Sequence, residues 1–210
     1  MPNNNLDNLI LVGDAKLLVY EITQCIDEMI EELKNDNFNY SEYNSITSEK
    51  RKREYLAVRI AFKMLLDRDF SILYDSNGKP FLADNSYQIS ISHSNKWIAV
   101  IAHPTLPVGI DIECPTDKIH KIHKRFLSVL EQNELNNGND IKQLQLAWSA
   151  KEALYKIIGI ESVDFANQLR IYPFEVETKG EILAQHITSE NFYNLKYIQT
   201  NAYNLVFCIA

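Results

Sequence analysis

Cysteine is scarce in this chain: Cys25, Cys114 and Cys208 are an odd, scattered set with no CxxC pair. That argues against a disulfide framework or a thiolate zinc site and fits a reducing compartment. Long apolar runs are absent as well. The stretch LILV (residues 9–12) is far too short for a signal-peptide core or a membrane span, and no basic n-region precedes it. No targeting signal and no membrane association are expected, which points to the cytoplasm. Neither GxxxxGK[ST] nor GxGxxG occurs, so a P-loop or a Rossmann dinucleotide site is unsupported. Positive charge is also short. With 21 Lys and Arg against 28 Asp and Glu the formal net charge is −7, whereas a nucleic-acid binder carries a surplus of cations for the phosphates.

What is present is 210 residues with 46% hydrophobic content, enough core for one large domain or two small ones. The few cations are bunched. EKRKREYLAVR (Glu49 to Arg59) and DKIHKIHKRF (Asp117 to Phe126) are basic patches in an acidic chain, where an anionic ligand or partner would be met; the plain alternative is a solvated helix face.

Periodicity predicts a hairpin from LILV and LLVYEI around Gly13-Asp14, then a helix carrying Ile26, Ile30 and Leu33. A polar linker covers 35–47. Ser48 caps a helix whose stripe is Tyr55, Val58, Phe62 and Leu65. A turn at Asn77-Gly78 follows, then three strands, YQISIS, WIAVIA and VGIDIE, with His93 in the loop between the first two. The second half holds helices over about 117–136 and 140–158, the latter capped by Asn139 or Asp140 and ended by Gly159, and then a meander with turns at Lys179-Gly180 and Asn201-Ala202. Each half runs helix first and strands after, and KWIAVIA and YNLVFCIA end their halves alike. The fold class expected is α+β, each half a mainly antiparallel sheet packed by helices.

In GIDIE (Gly109 to Glu113) strand alternation puts Val108, Ile110 and Ile112 on one face and Gly109, Asp111 and Glu113 on the other. Two carboxylates sharing a face either look into solvent or meet a cation. In WSAKEALYK (Trp148 to Lys156), Trp148, Glu152 and Lys156 recur every four residues along one helix face. A Glu four residues ahead of a Lys is also the commonest stabilising helix pair, so the spacing alone does not make a site. Together Asp111, Glu113 and Glu152 form a set of hard oxygen donors suited to Mg²⁺, an ion that usually completes its shell with water and substrate phosphates. His93 and Lys79 at the NGKP turn, each by itself more often a structural or a solvated residue, are with the basic run from Lys50 to Arg59 candidate phosphate contacts.

ISHS, GIDIE, RFLSVLEQNEL and WSAKEALYK, in that order, with EKRKREYLAVR and GKP upstream, resemble the 4'-phosphopantetheinyl transferase superfamily, in its Sfp-type, two-lobed branch. The resemblance covers about residues 47–165 and implies two pseudo-duplicated lobes, 1–106 and 107–210, with the active site at the lobe interface. It implies an enzyme that moves the 4'-phosphopantetheine arm of coenzyme A to a serine of an acidic apo acyl or peptidyl carrier protein, releasing adenosine 3',5'-bisphosphate, with Mg²⁺ as cofactor. On the family pattern Asp111, Glu113 and Glu152 hold the metal, and Lys156 meets the diphosphate. Lys79 and His93 take the 3'-phosphate and adenine end, while Lys50, Arg53, Arg59 and Lys151 match other coenzyme A contacts; which of Lys50, Arg51 and Arg53 points inward stays open. Asp111, Glu152 and Lys156 carry the chemistry, with Glu152, or a metal-bound water that it orients, the candidate general base. Lys118, Lys121, Lys124 and Arg125, with Phe126 and Leu127, are expected to dock the carrier. One-lobed relatives form trimers, so a chain with both lobes is expected to be a monomer. The alternatives are a Mg²⁺-dependent nucleotide phosphohydrolase and a non-catalytic carrier-binding module.

Overall fold

The computed structural model describes residues 9–34, 38–135, 140–159 and 162–210. They form two compact units, Met1–Thr105 and Leu106–Ala210. Both are α+β with antiparallel sheets, the expected class.

The first unit is built on a four-stranded sheet in the order β1-β2-β6-β5, from β1 (Leu9–Val12), β2 (Ala15–Glu21), β5 (Gln88–Ser94) and β6 (Trp97–His103). The β1–β2 turn places Gly13 at φ +58°, a conformation glycine adopts without penalty. Helices α1 (Ile26–Leu33) and α3 (Glu49–Leu66) pack with β2 and β6 around Met29, Leu56, Ile60 and Phe62. Ser48 caps α3 as expected, its hydroxyl accepting the Arg51 amide at 3.4 Å. Two expectations need correction. The supposed linker contains a further helix, α2 (Tyr40–Ser45), capped by the Asn39 side chain; residues 35–37 lie outside the described set. His93 lies in β5 itself, paired with Ile98, because the turn is the tight pair Asn95-Lys96 with Asn95 at φ +53°. A separate hairpin, β3 (Ile72–Tyr74) and β4 (Pro80–Leu82), turns at Asn77-Gly78 as read from the sequence.

The second unit is a five-stranded antiparallel sheet in the order β7-β11-β10-β9-β8, from β7 (Val108–Glu113), β8 (Leu169–Ile171), β9 (Lys179–His186), β10 (Asn191–Gln199) and β11 (Asn204–Ile209). Helix α6 (Ile141–Ile158) lies on it, started by the Asp140 carboxylate, which accepts the Lys142 and Gln143 amides, and ended at Gly159, φ +63°. Asn139, the alternative cap, falls outside the described residues. The helix expected over 117–136 is two: α4 (Ile119–Phe126) and α5 (Val129–Glu134). Ser128 breaks it by forming a reciprocal capping box with Glu131, an S-x-x-E signal present in the sequence. Lys179-Gly180 is not a turn. Both residues open β9, paired with Ile198 and Tyr197, while Glu190 in the left-handed region turns β9 into β10.

Candidate functional site

Strand β7 presents two different faces. Val108, Ile110 and Ile112 are at most 2% exposed. The alternate residues Gly109, Asp111 and Glu113 meet α6. The approach is set at Gly109, where a Cβ would stand 2.1 Å from the Ala153 carbonyl oxygen and 2.8 Å from Ile157 Cγ1. Only a residue without a side chain lets the helix backbone lie on the strand there. The two carboxylates therefore do not share a solvated face; Asp111 is 4% exposed.

Helix α6 meets these carboxylates with residues one turn apart. Trp148 Nε1 donates to Glu113 Oε1 at 3.4 Å. Lys156 Nζ donates to Asp111 Oδ1 at 3.0 Å and to the Ile110 carbonyl at 2.7 Å. Glu152 stands between them in the chain, and its carboxyl is pushed up to about 7, first by burial and then by repulsion from Asp111 and Glu113, with Lys156 opposing. Asp111 and Glu113 thus meet α6 at one helix–strand contact, with Glu152 coupled to both electrostatically. Among the described residues, however, no three His, Cys, Asp or Glu side chains converge into a cluster that could hold a metal ion; Asp111 turns to Lys156 and Glu113 to Trp148 instead.

Lys151, expected among the coenzyme A contacts, has no exposed surface. Its ammonium lies among the carbonyl oxygens of Phe126, Phe165 and Leu169, each at 2.7 Å, and the buried Glu131 carboxylate at 2.8 Å. Adjacent residues on a helix point about 100° apart, so Glu152 can face β7 while Lys151 faces the core. Burial pulls the Lys151 ammonium down to about 8, with Glu131 resisting.

Several basic residues of the first unit line two clefts. One, of about 420 Å³, is lined by Arg51, Arg59, Tyr74, Gly78, Pro80 and His93. The other, also about 420 Å³, is lined by Ile22, Lys50, Arg53, Asn95 and Lys96. Lys79 stands in the chain between Gly78 and Pro80. Between the clefts sits Glu54, which the sequence reading passed over. Its buried carboxylate takes Lys50 at 3.7 Å, Arg51 at 3.4 Å and His93 at 3.5 Å, and it lines both clefts. The signal was available in the helical spacing, since Glu54 follows Arg51 by three residues and Lys50 by four. Arg51, left open from sequence, shares its cleft with Arg59 and His93, whereas Lys50 and Arg53 belong to the other. Arg59 is only 8% exposed, its guanidinium 3.2 Å over the Tyr55 ring and 3.3 Å from Glu42 Oε2. It offers an edge to the cleft rather than a free side chain.

Basic α4 ends in His123, Lys124 and Arg125. Phe126 and Leu127, expected to help dock a partner, are each 1% exposed and belong to the core. The apolar side chains that do face outward here are Val129, 76% exposed, and Leu130, 49% exposed.

Comparison with known proteins bears on the unit that carries these carboxylates. Residues 107–208 match the family model described as the 4'-phosphopantetheinyl transferase superfamily. A 4'-phosphopantetheinyl transferase of Bacillus subtilis is 37% identical over 86 residues, which is 39% of this chain and 38% of that protein. The 4'-phosphopantetheinyl transferase Sfp of Bacillus subtilis strain 168 is 35% identical over the same length, with the same shares. The match thus spans well under half the length of these curated relatives. The second unit of the chain is thus similar to the 4'-phosphopantetheinyl transferase superfamily.

Proposed function

We propose that this protein transfers the 4'-phosphopantetheine arm of coenzyme A to a serine of an apo acyl or peptidyl carrier protein, releasing adenosine 3',5'-bisphosphate, in a Mg²⁺-dependent reaction. The observation that carries the reading is the helix–strand contact where Asp111 and Glu113 of β7 face Trp148 and Lys156 of α6, with Glu152 electrostatically coupled to both carboxylates. Three carboxylates and one ammonium leave an excess of negative charge on a half-buried patch. Burial first, and this excess second, raise the proton affinity of Glu152.

The donor set suits Mg²⁺ by its chemistry, since this hard cation takes carboxylate and phosphate oxygens, although the three side chains do not converge into a cluster in this structure. Asp111, Glu113 and Glu152 would hold it. When bound, the ion supplies neutralising charge for a diphosphate. The rest of the reaction falls to the chain's own residues. The carrier serine Oγ forms a bond to the phosphorus attached to the pantetheine arm, while the bond from that phosphorus to the bridging diphosphate oxygen breaks. The electron pair leaves on adenosine 3',5'-bisphosphate, where the Lys156 ammonium offsets the developing charge. The serine proton passes to Glu152 as general base. Arg51, Arg59, Lys79 and His93, with Lys50 and Arg53, take the 3'-phosphate and adenine end, and Lys118, Lys121, Lys124 and Arg125 meet an acidic carrier surface.

Incubation with coenzyme A, Mg²⁺ and an apo carrier protein tests the reading by mass spectrometry. The expected result is a carrier heavier by one phosphopantetheine arm, and near-complete loss of that product with Glu152→Gln or Asp111→Asn. Nucleotide release without carrier modification would replace transfer by hydrolysis. Tight carrier binding with no product would leave a binding module.

A further inference from the structure

The chemistry proposed above leaves Lys151 without a part, although it lies next to Glu152 at the centre of the unit. Its ammonium has three protons for four oxygen partners: the carbonyls of Phe126, Phe165 and Leu169 and the Glu131 carboxylate. Glu131 is itself fully engaged, accepting the Ser128 amide at 2.8 Å and the Ile171 amide at 2.7 Å. The pair therefore ties the end of α4, the start of α5, the segment at Phe165 and strand β8 to one point of α6.

Two of these tethered residues do something more. The Phe126 ring lies 5.1 Å from the Trp148 indole, edge to face, and the Phe165 ring lies 5.7 Å from it, tilted. Lys151 holds both residues by the backbone while their side chains confine the indole three residues away. That indole points its N–H at Glu113 Oε1 at 3.4 Å, the long end of the hydrogen-bonding range, where a small tilt of the ring breaks the contact. We propose that Lys151 is a positioning residue: through Phe126 and Phe165 it aims Trp148, and through Trp148 it orients the Glu113 carboxylate for the ion. The role given to Glu113 rests on the function proposed above, but the aiming of Trp148 does not.

The chain has two tryptophans, Trp97 and Trp148, so Trp97→Phe leaves Trp148 as the only reporter. In that background Lys151→Met should raise acrylamide quenching of Trp148 by about twofold or more. It should also raise the Mg²⁺ concentration for half-maximal transfer by about tenfold, the size typical of losing a group that orients a ligand. In the chain retaining Trp97, Trp148→Phe should give the same Mg²⁺ shift, and combining it with Lys151→Met should add nothing, because both act through one contact. A purely structural lysine would lower the melting temperature without this shared, non-additive Mg²⁺ shift. Phe165→Leu keeps the Phe165 carbonyl and the buried ion pair while removing one side of the ring sandwich. It should raise quenching as well, and it carries the test should Lys151→Met not fold. Unchanged quenching in the variants that fold, or Mg²⁺ effects that multiply, would overturn the proposal. Should the parent chain transfer nothing, the function falls, and the quenching comparison still decides the clamp.

Discussion

Replacing Gly109 by alanine puts a methyl group where the Ala153 carbonyl oxygen stands only 2.1 Å away, with Ile157 Cγ1 at 2.8 Å. The side chain of Ile157 can rotate; the carbonyl belongs to the backbone of an 18-residue helix and cannot move alone. Relieving the overlap requires α6 to retreat from β7 by about 1 Å, and a gap of that size forfeits a quarter to a half of the dispersion energy of the atoms it separates. The helix buries Ala147, Ala150, Ala153 and Leu154 completely in the same core, so the loss spreads along it. Overpacking a side-chain site costs about 1–3 kcal/mol. With backbone on one side of the clash the cost should reach about 3 kcal/mol or more, a large part of the roughly 5–15 kcal/mol of a whole domain. For a unit of this size that is a fall of about 12–24 °C in melting temperature, readable by circular dichroism. Gly78→Ala is the control: φ is +76° but none of the described residues lies within 4 Å of the new methyl, so only backbone strain of about 1 kcal/mol is expected. If Gly109→Ala melts within a few degrees of the parent chain, close helix–strand approach does not assemble this site. If it melts low and keeps full transfer activity, the approach matters for folding and not for chemistry.

Glu152 is held near 7 in the fold against an ordinary 4.5. The folded protein therefore keeps a proton that the unfolded chain gives up between pH 4.5 and 7, and stability falls as pH rises through that window, by up to about 3 kcal/mol. Without Mg²⁺, Glu152→Gln should thus be more stable than the parent at pH 8 and nearly equal to it at pH 4.5; equal melting temperatures at both would remove the strain. Ser149 is fully buried in α6 and its hydroxyl has no hydrogen-bond partner among the described residues, so Ser149→Ala should be neutral or stabilising by about 1 kcal/mol in urea unfolding, whereas a loss of more than that would show the hydroxyl is used. Neutralising Lys121 and Lys124 together should raise the KM for an acidic carrier severalfold and more strongly at low salt, with the KM for coenzyme A unchanged; unchanged carrier kinetics would move docking elsewhere.

The parts of this fold legible in the sequence were those written in local chemistry. Ser48 and Asp140 as caps, Gly159 as a stop and the Gly13 and Asn77-Gly78 turns each need only a few neighbouring residues. The alternation in GIDIE separated the two faces of β7 correctly, but it could not say what covers the carboxylate face, because that depends on a helix some forty residues later. The failure at Lys151 has the same origin. Its neighbours in the motif describe a helix face, while its partners Glu131, Phe165 and Leu169 come from three other segments. Ser128 and Glu131 were misread for the opposite reason, since the capping box that divides α4 from α5 was local and overlooked beneath a continuous helical pattern. Phe126 and Leu127 were placed at a docking surface by their nearness to basic residues; periodicity does not reveal which side of a short amphipathic helix the core will claim.

By spacing, Glu152 and Lys156 read as an ordinary helix-stabilising pair, and the geometry argues against that view. The Lys156 ammonium gives its bonds across to Asp111 and the Ile110 carbonyl of the strand, so its cation serves the β7 carboxylates first. An exposed helix pair of this kind contributes only about 0.2–0.5 kcal/mol, while burying Glu152 beside two other carboxylates works against folding and raises its proton affinity. A sequence shaped for stability alone would place glutamine or alanine at position 152. Retaining an acid there makes sense if the excess negative charge is met by something that arrives with the substrate, and groups perturbed in this way concentrate at sites of chemistry.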